Sequence, residues 1–196
     1  MRVAAVAFVG AVLSIPLQAL AQGKSVEIGT NAGLTIMTGG GATSTAFGVP
    51  GAGVGGIANL YASFFSPKPM FFEPSAGLNV AHATGVTVTN LGLAGTVGYL
   101  LKKSATIKGA YVAGDGALDY LHGGGGSATD FALGGKVGYR CPIGTSLAVR
   151  VEGGFRKWLH SSGAFGTRSE ITIGLGLGVV RHPSGRAAPA PAGRRR

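Results

Sequence analysis

Three residues near the end of the chain have the types that ester hydrolysis needs. His160, Ser162 and Glu170 offer a base, a hydroxyl nucleophile and a carboxylate that can orient an imidazole. They are candidates by type and proximity alone. No nucleophile elbow surrounds Ser162, and no oxyanion hole can be read beside it. The remaining histidines, His82, His122 and His182, are scattered without metal-ligand spacing, so neither a metal nor a cofactor is expected. Gly51, Gly53 and Gly56 match G-x-G-x-x-G, but no buried strand precedes them and no amphipathic helix follows. Dinucleotide binding needs both, and is not expected. What chemistry remains is electrostatic, and it depends on which way the charged residues point.

The elements that set this direction are strands. From Glu170 to Val180 the chain reads E-I-T-I-G-L-G-L-G-V-V. Ile171, Ile173, Leu175, Leu177 and Val179 share one parity, and Glu170, Thr172, Gly174, Gly176 and Gly178 the other. Alternate strand residues point to opposite faces, so one face is wholly apolar and the other polar or tiny. About 10 residues suffice for a tilted strand to cross a bilayer. Composition agrees: glycine is 37 of 196 residues and charged residues only 12%, against usual shares of about 7% and about 25%.

The N-terminus fits export. Arg2 precedes an apolar run from Val3 to Ile15, and Ala19-Leu20-Ala21 is an A-x-A cleavage signature. Residues 1–21 therefore read as a signal peptide, 22–181 as a β-barrel, and 182–196 as a disordered basic tail rich in Pro, Ala and Arg. Cys141 is the only cysteine, which rules out an intrachain disulfide. The excess of 17 Lys and Arg over 7 Asp and Glu does not point to nucleic acid, because an exported chain does not meet it.

Eight strands are expected. Val26 to Ile36 is the first. Thr43 to Val49 and Asn59 to Phe65 form an interrupted second, with an excursion between them. Phe71–His82, Val86–Leu101, Ile107–Leu121, Asp130–Arg140, Leu147–Leu159 and Glu170–Val180 follow, the fourth strand carrying a bulge near Asn90 where its parity changes. Closure is favoured because an open sheet edge in hydrocarbon leaves backbone groups unpaired. A soluble sandwich would instead present a charged second face. Here that face is mostly Gly, Ala, Ser and Thr, a set suited to a narrow barrel interior.

With Leu93-Ala94-Gly95-Thr96-Val97-Gly98-Tyr99, Leu133-Gly134-Gly135-Lys136-Val137-Gly138-Tyr139 and Val151-Glu152-Gly153-Gly154-Phe155, the chain resembles the small eight-stranded outer-membrane β-barrel proteins of Gram-negative-type bacteria, the OmpA, OmpX and opacity-porin group. The resemblance covers about Val26 to Val180. It implies an all-β, up-and-down antiparallel barrel in the bacterial outer membrane, both termini at the periplasmic rim, insertion by the barrel-assembly machinery and a monomer surrounded by outer-membrane lipid. Members usually end their last strand on an aromatic residue; this one ends Val179-Val180-Arg181.

Inward parity takes nearly all the barrel charge: Glu27, Glu73, Asp115, Asp119, Asp130, Lys136, Arg140, Arg150, Glu152, Arg156 and Glu170. Opposite signs in a narrow lumen should pair. Strand adjacency places Arg150 at the hub, between Asp130 and Glu170, with Lys136 and Glu152 beside it. Phe64, Phe72, Tyr99 and Tyr139 flank turns at one rim and read as an aromatic girdle, with Tyr120, Phe131 and Trp158 toward the other. The expected role is structural or surface-interacting, with the lumen plugged by ion pairs and no enzymatic activity. A lipid A-modifying hydrolase built on His160, Ser162 and Glu170, or a narrow channel, are the alternatives. The basic tail could attract anionic lipid or cell-wall polymer. On strand eight, Leu175→Arg is expected to be far more damaging than Gly176→Ser.

Overall fold

Strands with an apolar outside and a small-residue inside satisfy every backbone group by closing into a ring. The computed structural model describes residues 25–39, 41–48, 59–66, 69–83, 85–101, 108–160 and 167–181. The expected leader 1–21, the glycine motif at 51–56, Ser162 and the tail 182–196 lie outside the described residues. Among the described residues all elements are strands: β1 (Val26–Gly39), β2 (Ala42–Gly48), β3 (Asn59–Phe65), β4 (Met70–Ala83), β5 (Val86–Leu100), β6 (Gly109–Gly123), β7 (Gly126–Ile143), β8 (Leu147–His160) and β9 (Arg168–Arg181).

Every pairing is antiparallel and neighbours follow chain order. β2 and β3 divide one edge of β1 between them. β2 runs from Gly33↔Gly48 to Gly39↔Ala42, and β3 from Val26↔Phe64 to Asn31↔Asn59. Together they count as one interrupted strand, and the ring has eight. It closes through β1 and β9, paired without a break from Val26↔Arg181 to Gly39↔Arg168. Pro74 has no N–H to give, and the β3–β4 ladder skips it, passing from Tyr61↔Ser75 to Phe64↔Phe72. Among the described residues no ladder joins β2 to β4.

Three details differ from the sequence reading. First, β5 has no bulge. It pairs continuously with β4 from Val86 to Tyr99, and Val86, Val88, Asn90 and Gly92 stay on the inward parity. The parity change reflects two inward valines near one mouth of the barrel. The irregularity lies elsewhere, between Phe131 and Ala132, where β8 carries the extra residue. Second, β7 begins at Gly126, because Gly124 and Gly125 form a two-residue turn with φ of 58° and 84°. Both values need glycine, and they match the hairpin turn that suits twisted strands. Third, β9 begins at Arg168, two residues earlier than expected.

Outside, the wall is apolar: Ile173, Leu175, Leu177 and Val179 are all more than half exposed, as are Val137 and Val151. The inside is filled. Tyr99 and Tyr139 lie on the outer wall, about half exposed, while Phe72 is half-buried and Phe64 is buried against Val26. Trp158, read as lying toward the far rim, lies toward that mouth beside Arg168, points into the lumen and is 2% exposed. Its parity, shared with the inward Arg156 two residues before it, puts it there.

Candidate functional site

Among the described residues, the lumen is the one place where the chain gathers chemistry. All seven of its carboxylates, Glu27, Glu73, Asp115, Asp119, Asp130, Glu152 and Glu170, are buried or nearly so on the inward face. They are stacked with five cations in tiers along the barrel axis.

At the end that carries β1's start and β9's end, the lumen is sealed by apolar side chains. Phe65, Phe71, Leu100, Tyr111, Ala148 and Val180 form one buried cluster. Phe71 meets Tyr111 edge-on at 5.3 Å between centroids. The two repeated Val-Gly-Tyr segments acquire a meaning here. Gly98 pairs with Phe71 and Gly138 with Tyr111, and a Cβ at either glycine would fall within the facing ring. Each inward glycine therefore leaves room for an aromatic ring from the neighbouring strand, while the tyrosine after it faces out. Arg140 caps this seal, with its guanidinium 4.2 Å from the Phe71 centroid and 4.7 Å from that of Tyr111.

Above the seal lies a six-charge cluster. Glu73 is its centre: it accepts from Arg150 Nη1 at 2.5 Å, Arg140 Nη2 at 2.9 Å and Lys136 Nζ at 3.2 Å, and also from the Ser63 hydroxyl. Arg140 Nε reaches Glu27 Oε2 at 3.3 Å, and Glu27 also accepts from Tyr61 Oη at 2.6 Å. Glu152 accepts from Tyr111 Oη at 2.6 Å and lies 3.6 Å from Arg150 Nε. Arg150 lies over the Tyr61 ring at 3.6 Å, and its Nε donates to Asn31 Oδ1 at 3.0 Å.

The next tier is Arg156, which pairs with Asp115 at 2.6 Å and Glu170 at 3.4 Å, while Trp158 Nε1 donates to Glu170 at 2.9 Å. A polar cavity of about 30 Å³ separates it from the six-charge cluster, bounded by Lys136, Glu152, Asp115 and Arg156. That is room for one or two waters. The last tier, toward the opposite mouth, is Arg168 with Asp119 at 3.6 Å and Asp130 at 3.2 Å.

The structure thus brings all eleven inward charges into the lumen but groups them differently from the adjacency argument. Arg150 does not meet Asp130 or Glu170. Asp130 pairs with Arg168, and Glu170 with Arg156. The reason is register. Arg150 lies level with Arg140 on β7 and Gly176 on β9, far along the strands from both acids. Arg168, Tyr61, Tyr111, Ser63 and Asn31 were missed. Arg168 lay just outside the expected start of the last strand at Glu170, and the tyrosines carried no sign of their inward parity beyond the alternation itself. Of the hydrolase candidates, His160 ends β8 and Glu170 is turned inward with its carboxylate held by Arg156 and Trp158.

This geometry defines a class: a closed, eight-stranded up-and-down barrel of the outer-membrane type, with a packed charged lumen. Solved structures share that fold. Neisserial surface protein A aligns with a TM-score of 0.57 at 12% identity, covering 80% of this chain and 96% of that one. The outer membrane protein AlkL, determined by solid-state NMR in lipid bilayers, aligns at 0.50 and 14% identity, covering 86% of this chain and 93% of that one. At these identities the likeness is one of fold. No protein-family model matches the chain, and no curated protein matches it in sequence.

Proposed function

We propose that the chain is exported, loses residues 1–21, and stands in a bacterial outer membrane as a closed, non-conducting barrel with a structural or surface-interaction role. The observation that carries this reading is the lumen. A six-charge cluster lies directly on an aromatic seal, and the cavity above it holds about 30 Å³. An eight-stranded interior is only wide enough for its own side chains. The apolar outer wall supports lipid as its surroundings, with the barrel-assembly machinery as the route of insertion. Glu170, committed to Arg156 and Trp158, supports a role without hydrolytic chemistry. Purified protein in planar bilayers should show no stepwise conductance above the bare-membrane baseline. Large, reproducible steps would favour the channel and overturn this reading.

The tail is a separate proposal. Arg181 and the residues after it hold five of the 17 basic groups. We propose that they are held loosely near anionic lipid or cell-wall polymer and contribute nothing to folding. Deleting Pro183 to Arg196 should leave the heat-modifiable gel shift of the barrel unchanged. Failure to assemble in the membrane would show that the tail carries targeting information instead.

A further inference from the structure

The lumen charges do not balance evenly along the barrel axis. In the six-charge cluster, Glu27, Glu73 and Glu152 face Lys136, Arg140 and Arg150, three against three. In the other half, Asp115, Asp119, Asp130 and Glu170 face only Arg156 and Arg168, four against two. That half carries a formal excess of two negative charges in a narrow, low-dielectric space. Unpaired charge there is costly.

Three buried oxygens without a hydrogen-bond partner lie in the same half. Asp119 and Asp130 are directly opposite each other on β6 and β7. Both present Oδ2 to Arg168 Nη2, and in both Oδ1 is buried without a hydrogen-bond partner. Asn90 on β5 is the diagonal neighbour of Asp119 on the inward face, and the two side chains interact. Asn90 is 2% exposed, and its Oδ1 is buried without a hydrogen-bond partner. A buried amide oxygen left open beside two like-charged carboxylates is an acceptor that only a donor or a cation satisfies.

We propose that Asp119 Oδ1, Asp130 Oδ1 and Asn90 Oδ1 form a divalent-cation site near the mouth of the barrel opposite its chain termini. Three hard oxygens from three adjacent strands, with water completing the shell, suit Ca²⁺. Ca²⁺ accepts irregular oxygen sets of six to eight ligands, whereas Mg²⁺ demands a near-ideal octahedron. Two positive charges cancel the excess of that half of the lumen, with Arg168 kept on the Oδ2 side. Among the described residues no cluster holds three or more His, Cys, Asp or Glu side chains placed for a metal. Two carboxylates and an amide therefore make a weak site, with a dissociation constant on the order of 10⁻⁴ to 10⁻³ M, the range of extracellular modules. Sequence spacing could not show it, because its three ligands come together only through register.

Trp158 supplies the probe. It is the sole tryptophan, its ring lies under the Arg168 guanidinium at 4.5 Å, and Arg168 touches both aspartates. Terbium(III), a luminescent stand-in for Ca²⁺, should be sensitised by Trp158 when it is added to the full chain refolded in detergent. The emission should saturate and be displaced by CaCl₂. Asp130→Asn should weaken terbium binding by about tenfold or more, since it removes one of two charged ligands. Asn90→Ala breaks no ion pair and carries the test if Asp130→Asn does not fold; a weakening of about threefold or more is expected. Absence of sensitised emission from the folded protein would overturn the site. So would equal affinity in the folded variants, because terbium would then be bound adventitiously and the buried oxygens met by water or protons.

Discussion

Glu73→Gln is expected to cost the barrel about 3–5 kcal/mol, the range for removing one partner from a buried ion cluster. Glutamine keeps the shape of the side chain and some of its hydrogen bonds, so the loss is of charge rather than of packing. Glu73 is 1% exposed and is shared by Lys136, Arg140 and Arg150. Without its charge, three cations would face only Glu27 and Glu152 in a lumen where water can do little to screen them. Chemical denaturation of the protein in lipid vesicles measures the loss. Coupling should also be visible: combining Glu73→Gln with Arg150→Met should cost less than the sum of the two singles, because the second change removes a cation that the first left unpaired. A loss under about 1 kcal/mol, the scale of an exposed pair, would mean that these charges are solvated separately and that the cluster does not hold the lumen closed.

That centre was not legible in the sequence, although its members were. Parity along each strand is a local property, and it gave the apolar wall of β9, the interruption between β2 and β3, and the inward direction of Glu73, Arg140 and Arg150. Partnership across a lumen is not local. It depends on the shear between neighbouring strands, which tilts the barrel and offsets residues that look adjacent in a linear alignment. Arg150 therefore meets Glu73, three barrel strands beyond the β1–β9 closure, rather than Asp130 on the strand beside it. Arg168 was hidden for a different reason. It follows a run of Ser, Gly and Thr that reads as loop, yet it opens β9 and pairs two aspartates. The inward aromatics were not legible either. Tyr99 and Tyr139 of the expected girdle lie on the outer wall, but Phe65, Phe71, Tyr111 and Trp158 fill the inside, and glycines on facing strands make room for two of them.

Leu175 and Gly176, neighbours on β9, test both faces of the wall at once. The sequence reading expects Leu175→Arg to be far worse than Gly176→Ser, because only the first exposes a charge to lipid. Leu175 is 59% exposed on the outer wall, between Val151 and Ala32. An arginine there should cost about 2–4 kcal/mol at mid-bilayer. Gly176 is not the permissive site it looked. A Cβ at this position would fall on Asn31 Oδ1 and on Cγ and Nε of Arg150, and Nε and Oδ1 are the atoms that join Arg150 to Asn31. Serine must displace them, and an overpacked site costs about 1–3 kcal/mol even without a charge to strand. The two losses should therefore be similar in size and different in origin, and a background variant separates them. In Arg150→Ala the obstruction at position 176 shrinks, so the added cost of Gly176→Ser should fall by more than half, while that of Leu175→Arg should not change. Unfolding in vesicles across the two double-mutant cycles reads this directly. If Gly176→Ser is harmless in the unaltered protein, the tight packing of Arg150 against β9 is wrong. If Leu175→Arg is harmless, the outer wall does not face lipid.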